Sequence, residues 1–119
     1  MISRSELGKR CGVSKRTLEH YASDAGYHIL DPIGRNVPAC MYRDESEEQL
    51  RLIIELKSVG FLLKQIHEYQ SANQEMRVQM LRRQIPVLEG RKEEIQGQSE
   101  KIKGMVDKEM KKSMEGTNE

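Results

Sequence analysis

The chain has 119 residues, of which 36% are hydrophobic and 33% charged, with no Trp and one Phe. This supply of core-forming residues suffices for one small domain with additional helical length, but not for two full globular domains. No apolar run approaches the roughly 20 residues of a membrane-spanning helix. Two cysteines are too few for a secreted disulfide scaffold. The composition therefore predicts a cytoplasmic, mainly helical protein with no membrane partner.

Positive charge is concentrated in the first third of the chain. Residues 1–43 carry seven Lys or Arg against four acids, residues 44–70 carry three against six, and residues 71–119 carry ten against nine. A basic N-terminal segment in a nearly neutral chain is expected where one surface binds an anionic partner such as DNA. An ordinary solvated surface explains the charges equally well. The choice between these two interpretations therefore depends on the sequence motifs.

Residues 3–23 have the features of two short helices joined by a tight turn. Ser3 precedes Glu6 by the spacing of a capping box, and Gly12 is suited to end the first helix. Ser14 is suited to cap the second helix. Two such helices joined by a turn that contains Gly form a helix-turn-helix, a motif found in DNA-binding proteins.

Residues 24–43 change in character, with two of the three prolines and several β-branched or aromatic residues. Two short strands, Ile29-Leu30 and Met41-Tyr42, are predicted around a hairpin tip at residues 34–36. A hairpin in this position, beside a helix-turn-helix, would be a wing.

The two cysteines have different predicted environments. Cys11 lies on the inner face of the first helix and is predicted to be a small buried hydrophobic residue. Cys40 lies in the predicted wing near Arg43, an environment in which a thiol can be reactive.

Helical periodicity returns in residues 44–70. Asp44 and Glu47 repeat the spacing of a capping box, with Asp44 as the cap, and apolar residues then recur at intervals of three and four. Val59-Gly60 is predicted to end this helix, and a shorter helix follows over residues 61–69.

The segment 74–110 has the most regular pattern in the chain. Its apolar residues alternate at spacings of three and four, which defines a heptad seam consisting of Val78, Leu81, Ile85, Leu88, Ile95, Ile102 and Val106. Lys92 and Ser99 occupy two further seam positions, and Pro86 is predicted to kink or restart the helix. Nothing else in the chain is large enough to cover a helix of roughly 50 Å, so we expect it to pair with a second copy. Residues 111–119 lack the pattern and are expected to fray.

The order of these motifs resembles the MerR family of bacterial transcription regulators over about residues 2–70. The first part of the resemblance is carried by Ile2, Glu6-Leu7, Lys9-Arg10, Gly12-Val13-Ser14, Arg16-Thr17-Leu18 and Tyr21. The second part is carried by Tyr42, Leu50, Ile53, Leu56, Val59-Gly60-Phe61, Leu63 and Ile66. The resemblance implies a mainly α fold, in which a winged helix-turn-helix is followed by a long coiled-coil dimerisation helix.

The resemblance also implies a function. Such proteins are homodimers, joined by an antiparallel coiled coil, that bend and untwist promoter DNA to activate or repress transcription, and RNA polymerase at the promoter is a further candidate partner. The implied domains are residues 1–71 for DNA binding (helix-turn-helix 3–23, wing 24–43, second helix pair 44–70), 74–110 for the coiled coil and 111–119 for a frayed tail.

Candidate DNA-binding residues lie in and around the second helix of the helix-turn-helix. Its first turn is the end of a recognition helix that reaches base edges, and Arg16 there is suited to bidentate contact with guanine. The complete set of candidates is Ser14, Lys15, Arg16, Thr17, His20, Tyr21, Arg35, Tyr42, Arg43 and Lys64. Tyr21 either donates to a phosphate or packs beneath the wing. Lys64 lies near a helix N-terminus, which favours phosphate.

Glu19 departs from the family pattern, which usually has Arg at this point, and the wing keeps only Tyr42 of its usual Gly-Tyr-Arg-x-Tyr. The carboxylate of Glu19 has three interpretations. It repels a phosphate, which is the interpretation we favour, or it accepts a hydrogen bond from a cytosine amino group. In the third interpretation it forms a salt bridge with Arg16 or Lys15 and affects only the free protein.

The sequence contains no arrangement typical of an enzyme, neither paired carboxylates, nor a Cys/His pair, nor a Gly-rich phosphate loop. We therefore expect no catalytic residue and no cofactor. The spacing of His and Cys does not suit zinc, so no metal site is predicted. Two other functions fit the same motifs: a DNA-architectural or anchoring protein, and an interaction protein that kept the fold but lost operator binding.

Overall fold

A computed structural model of the chain describes residues 1–34 and 40–117, with side chains as far as residue 113. Most of the predicted wing tip at residues 34–36, and the candidate DNA-binding residue Arg35, lie outside the described residues. The elements in chain order are β1 (Ile2–Ser3), α1 (Arg4–Cys11), α2 (Lys15–Tyr21), a 3₁₀ turn (Asp24–Gly26), β2 (Met41–Tyr42), α3 (Ser46–Ser58), α4 (Leu63–Ser71) and α5 (Gln74–Thr117). The fold is mainly helical, as predicted.

Local signals in the sequence set the helix-turn-helix. Ser3 Oγ accepts a hydrogen bond from the Glu6 N–H (3.1 Å), and Ser14 Oγ accepts one from the Thr17 N–H (3.1 Å). Between the two helices, Gly12 has a φ of +69°, in the left-handed region that favours glycine. Both predicted caps and the predicted turn are therefore confirmed, although α2 ends at Tyr21 rather than near residue 23.

The small sheet joins β2 to the N-terminus of the chain. β1 and β2 are antiparallel, with Ile2 opposite Tyr42. The prediction that Ile29-Leu30 is the partner strand of β2 is wrong, because these two residues form no strand and are 3% and 2% exposed in the core. The Leu30 N–H instead donates to the carbonyl of Tyr21 (3.3 Å). A short apolar run indicates burial, and periodicity alone does not distinguish a strand from another buried segment.

One hydrophobic core holds the helix-turn-helix, β2, α3 and α4 together. Its fully buried side chains are Leu7, Leu18, Leu30, Tyr42, Leu50, Ile53 and Ile66. The predicted cap of α3 is wrong, since α3 begins at Ser46 and its N-cap residue Glu45 makes no side-chain capping bond. The Asp44 carboxylate instead binds the N-terminal ammonium of Met1 (2.9 Å), and this contact lowers the pKa of Asp44. The pairing of β1 with β2 brings these two groups together.

The long helix α5 includes the whole predicted seam and extends beyond it. It continues through Pro86, where we predicted a kink or restart, and it does not end near Met110 but at Thr117. Residues 111–117 therefore belong to α5, beyond the end of the predicted helix. These residues are mostly good helix formers, and a search for apolar periodicity does not detect a helix that lacks an apolar stripe. None of the helices in the described ranges combines the length and hydropathy that crossing a membrane requires.

The chain divides into two compact units, Met1–Gln84 and Ile85–Glu119. The start of α5 belongs to the first unit together with the helix-turn-helix. Within that unit, the side-chain amide of Gln84 donates to the carbonyl of Val59 (2.7 Å), and Arg77 Nε donates to the carbonyl of Tyr69 (3.0 Å). These two bonds satisfy carbonyls near the ends of α3 and α4, which helix termini otherwise leave without partners.

The chain leaves α2 through an unusual turn. Tyr27 and His28 both have positive φ values, 61° and 49°. The His28 ring lies between two carboxylates, with Nδ1 2.9 Å from Asp31 Oδ1 and Nε2 2.5 Å from Asp24 Oδ1. The hydrogen bonds to Asp31 and Asp24 raise the pKa of His28 above its ordinary value.

We expect the replacement His28→Asn to reduce stability more at about pH 5.5 than at about pH 9. Because folding raises the pKa of His28, its contribution is complete below the unfolded pKa of about 6.5 and is lost as the pH rises through the folded pKa. Asn tolerates a positive φ, so the backbone is not the cause of the loss. Urea unfolding of both proteins at the two pH values measures the difference. An equal loss at both pH values would contradict the role of the two carboxylates.

Gly26 is required by close packing against α2. A Cβ built on Gly26 would lie 1.9 Å from the carbonyl oxygen of His20. We expect Gly26→Ala to destabilise the protein by about 1–3 kcal/mol. Gly90 in α5 has nothing within 4 Å of such a Cβ, so Gly90→Ala should stabilise by roughly 0.5–1 kcal/mol through helix propensity. Urea unfolding compares the two variants, and a Gly26→Ala variant as stable as the wild type would show that the packing at Gly26 does not matter.

Candidate nucleic-acid interface

The two faces of α2 differ sharply in burial. Leu18 and Tyr21 are 0% and 3% exposed and anchor the inner face in the core. The outer face presents Lys15, Arg16, Glu19 and His20, all exposed. An outer face that contributes nothing to the core is free to carry cationic side chains for a partner.

The start of α2 is ordered by Ser14 and Thr17. Besides its capping bond, Ser14 Oγ lies 2.9 Å from Thr17 Oγ1, and Thr17 is half-buried. These contacts fix the first turn of α2, in which Arg16 lies. A recognition helix reaches base edges with this end, so the predicted first-turn candidates are brought together on one short, well-capped segment.

Glu19 is held by two cations. Its Oε1 accepts a hydrogen bond from Arg4 Nη1 (3.1 Å) and lies 3.9 Å from Lys15 Nζ. The salt bridge to Lys15 is one of the partners considered from the sequence, whereas Arg4 was not predicted. The negative charge of Glu19 therefore has two positive neighbours in the protein itself.

Arg4 connects three elements of the fold. At the first position of α1, its Nη1 binds Glu19 on α2 and its Nη2 lies 2.8 Å from Cys40 Sγ, one residue before β2. The Arg4 backbone N–H also donates to the Cys40 carbonyl (3.0 Å). Cys40 is half-buried, and its cationic neighbour is Arg4 rather than the predicted Arg43. No local pattern identifies Arg4, because its partners are distant in sequence.

An open cleft beside the start of α2 is also basic. Arg4, Lys9 and Lys15 line it together with Cys40 and small residues of α1 and the turn. The cations of α1 and α2 therefore border a common surface. Lys9 was not among the candidates, although the charge count of the N-terminal segment includes it.

The two candidate tyrosines are buried. Tyr42 is 0% exposed and is paired in the sheet, so the prediction that its side chain contacts DNA is wrong. Burial raises the pKa of the Tyr42 phenol, and the neighbouring Arg4 guanidinium acts in the opposite direction. Tyr21 follows the packing alternative, with Lys57 Nζ 5.8 Å from its ring centroid. Both tyrosines position α2 and the sheet from within.

The remaining candidates lie on other elements. Arg43 follows β2 and Lys64 lies at the second position of α4, and both side chains are exposed. They are therefore accessible to a phosphate backbone, although they do not belong to the α2 surface. Among the described residues, no three His, Cys, Asp or Glu side chains are placed to share a metal ion.

Comparison with known proteins identifies the family. Residues 2–73 match the family described as MerR HTH family regulatory protein. The structure is similar to the crystal structure of MtaN, the N-terminus of the Bacillus subtilis multidrug transporter activator. The two chains are 25% identical with a TM-score of 0.72, and the match covers 89% of this chain and 98% of that chain. No curated protein sequence matches the chain. Because the family match covers more than half of its length, the protein belongs to the MerR family of helix-turn-helix regulatory proteins.

Proposed function

We propose that this protein is a homodimeric transcriptional regulator that binds promoter DNA in the cytoplasm, with α2 as its recognition helix. The observation that carries the proposal is the division of α2 into two faces. Leu18 and Tyr21 fix the inner face in the core, while Lys15, Arg16 and His20 remain exposed. A buried inner face with a cationic outer face is the arrangement by which a recognition helix enters the major groove.

Arg16 is the residue that we assign to base reading. It lies in the capped first turn of α2, and none of the ion pairs found in the described part of the chain engages it. Lys15 and His20 extend the same face, and Arg43 and Lys64 supply phosphate contacts from other elements. Base contacts specify a sequence, whereas phosphate contacts position the protein on the duplex.

The ion pairs of Glu19 support the third interpretation of this residue. Arg4 and Lys15 already neutralise the carboxylate, so little negative charge remains to repel a phosphate. An exposed ion pair of this kind contributes no more than about 1 kcal/mol. Glu19 then serves to hold α2 against α1. Although Glu19 stands where the family usually has a basic residue, its paired carboxylate does not repel the DNA phosphates.

The apolar seam of α5 supports dimerisation. Its seven side chains are between 38% and 63% exposed, namely Val78, Leu81, Ile85, Leu88, Ile95, Ile102 and Val106. A row of exposed apolar side chains at heptad spacing is typical of an interaction site. Heptad spacing fits a second copy of the helix best, and we assign the partner helix an antiparallel direction on the pattern of the family. RNA polymerase at the promoter is a further proposed partner of the protein.

Loss of Arg16 should weaken DNA binding selectively. We expect Arg16→Ala to reduce affinity by about 1–3 kcal/mol for a duplex selected by the wild-type protein from a randomised pool, because bidentate guanine contacts are lost. Affinity for random duplex DNA should fall much less, and the control Arg91→Ala, on the exposed surface of α5, should change neither. Fluorescence anisotropy across a salt series measures all three proteins.

The same titration with Glu19→Gln separates the three interpretations of Glu19. Neutralisation by Arg4 and Lys15 predicts changes below about 1 kcal/mol with both DNAs. Repulsion predicts tighter binding to both, and cytosine recognition predicts loss of binding to the selected duplex alone. If neither Glu19→Gln nor Arg16→Ala affects binding, α2 does not contact DNA and the interaction-protein alternative replaces the proposal. Binding to DNA without any effect on transcription of the bound promoter would favour the architectural alternative.

A charge placed in the seam should abolish the dimer. We expect the wild-type protein to have twice the 13.8 kDa mass of the chain in light scattering at micromolar concentration. Ile95→Lys puts an ammonium into the apolar seam, so it should give monomers and a lower melting temperature. The control Glu94→Lys lies outside the seam and should remain dimeric. A dimeric Ile95→Lys variant would show that the seam is placed wrongly.

A further inference from the structure

The turn after α2 holds an aromatic side chain in a costly backbone conformation. Of the non-glycine residues in the described ranges, only Tyr27 and His28 have a positive φ. For a bulky residue this region is an outlier that persists only when the surroundings impose it. Here the Tyr27 N–H donates to the Asp24 carbonyl (3.0 Å), the His28 N–H donates to the Ser23 carbonyl (3.1 Å), and two carboxylates hold the His28 ring.

Burial does not account for this strain. Tyr27 is 41% exposed, and its ring stacks on the exposed ring of His67 in α4, with centroids 6.1 Å apart and planes inclined by 28°. A glycine would adopt the same φ at lower cost to the fold. The turn therefore presents an aromatic ring at the surface. Strained backbone conformations of this kind cluster at functional sites.

The surroundings of this ring suit an anionic partner. Lys64 precedes His67 by three residues, so the two share a face of α4, and both are exposed. The acidic Asp24 and Asp31 near Tyr27 are engaged by His28. Glu68 is the neighbouring exposed acid on α4. The surface combines a phenol, an imidazole and an ammonium, which all donate hydrogen bonds to phosphate oxygens.

The position of the turn relative to α2 fits the dimensions of DNA. Gly26, the residue before Tyr27, packs against the His20 carbonyl at the C-terminal end of α2. The seven residues of α2 span about 10 Å, and the major groove is about 12 Å wide. When the first turn of α2 reaches base edges, the opposite end lies near the phosphates that border the groove.

We propose that Tyr27, His67 and Lys64 form a second DNA contact, which binds the sugar-phosphate backbone beside the C-terminal end of α2 without reading bases. This inference rests on the proposed DNA-binding function. Together with the base contacts at the first turn, a backbone contact at the other end fixes the register of α2 in the groove, and the strained turn exists to present the Tyr27 hydroxyl for this purpose.

The variant Tyr27→Gly tests the proposal, because glycine suits the backbone but removes the ring. We expect its melting temperature to equal or exceed that of the wild type. Its affinity should fall by about three- to tenfold, and by the same factor for a random duplex of about 30 base pairs and for the duplex selected from a randomised pool. Tyr27→Phe keeps the ring but not the hydroxyl and should show most of this loss.

Lys64→Ala should lower the salt slope of binding by about 0.9. Met76→Ala, an exposed residue of α5 in the same unit, should bind as the wild type.

Other outcomes overturn the proposal. Unchanged affinity of Tyr27→Gly for both duplexes would show that this surface does not bind DNA and would leave a protein partner as the explanation of the ring. Loss of affinity for the selected duplex alone would make Tyr27 a base reader, contrary to the inference. A lower melting temperature of Tyr27→Gly would show that the ring serves the fold. If the wild-type protein binds neither duplex at low salt, the proposed function itself fails, whereas retained wild-type binding with silent Tyr27 variants refutes only this inference.

Discussion

The hydrogen bonds of Arg4 are the contact on which the candidate interface depends. One guanidinium binds Glu19 on α2 and Cys40 before β2, and the Arg4 backbone joins the same strand. Helix α2 and the start of β2 are thereby tied to one residue at the start of α1. The ion pair with Glu19 contributes no more than about 1 kcal/mol, so its importance lies in orienting α2 rather than in stabilising the fold. Arg4 itself is only partly exposed, whereas Glu19 is about half exposed.

The parts of the fold that the sequence predicts are those decided by residues close together in the chain. Ser3 and Ser14 cap helices because the acceptor and the N–H are three residues apart, and Gly12 fits its turn by its own φ preference. The pairing of β1 with β2 depends on residues at distant positions, so no local pattern reveals it. The same limitation hid the role of Arg4, whose effect on Glu19 arises only when α1 and α2 pack.

The candidate site follows the same division. The exposed face of α2 could be predicted from helical spacing, because burial of Leu18 and Tyr21 determines which side chains point outward. Burial of Tyr42 was missed because an aromatic residue after a wing motif suggested a surface role, whereas the strand pairing places it in the core. The turn at Tyr27 was missed for a different reason. Non-glycine residues rarely adopt a positive φ, and the sequence around Tyr27 contains no signal that predicts one.

Three sets of contacts hold α2 in place in the free protein. Its inner face is fixed by the core, its outer side by the ion pair with Arg4, and its C-terminal end by the close approach of Gly26 to the His20 carbonyl. A recognition helix that is already ordered loses less conformational freedom on binding, so more of the contact energy becomes affinity. With few apolar residues available, the chain uses polar contacts for this ordering and leaves the seam of α5 exposed. Orientation of α2 is therefore achieved by contacts within the first of the two units of the chain.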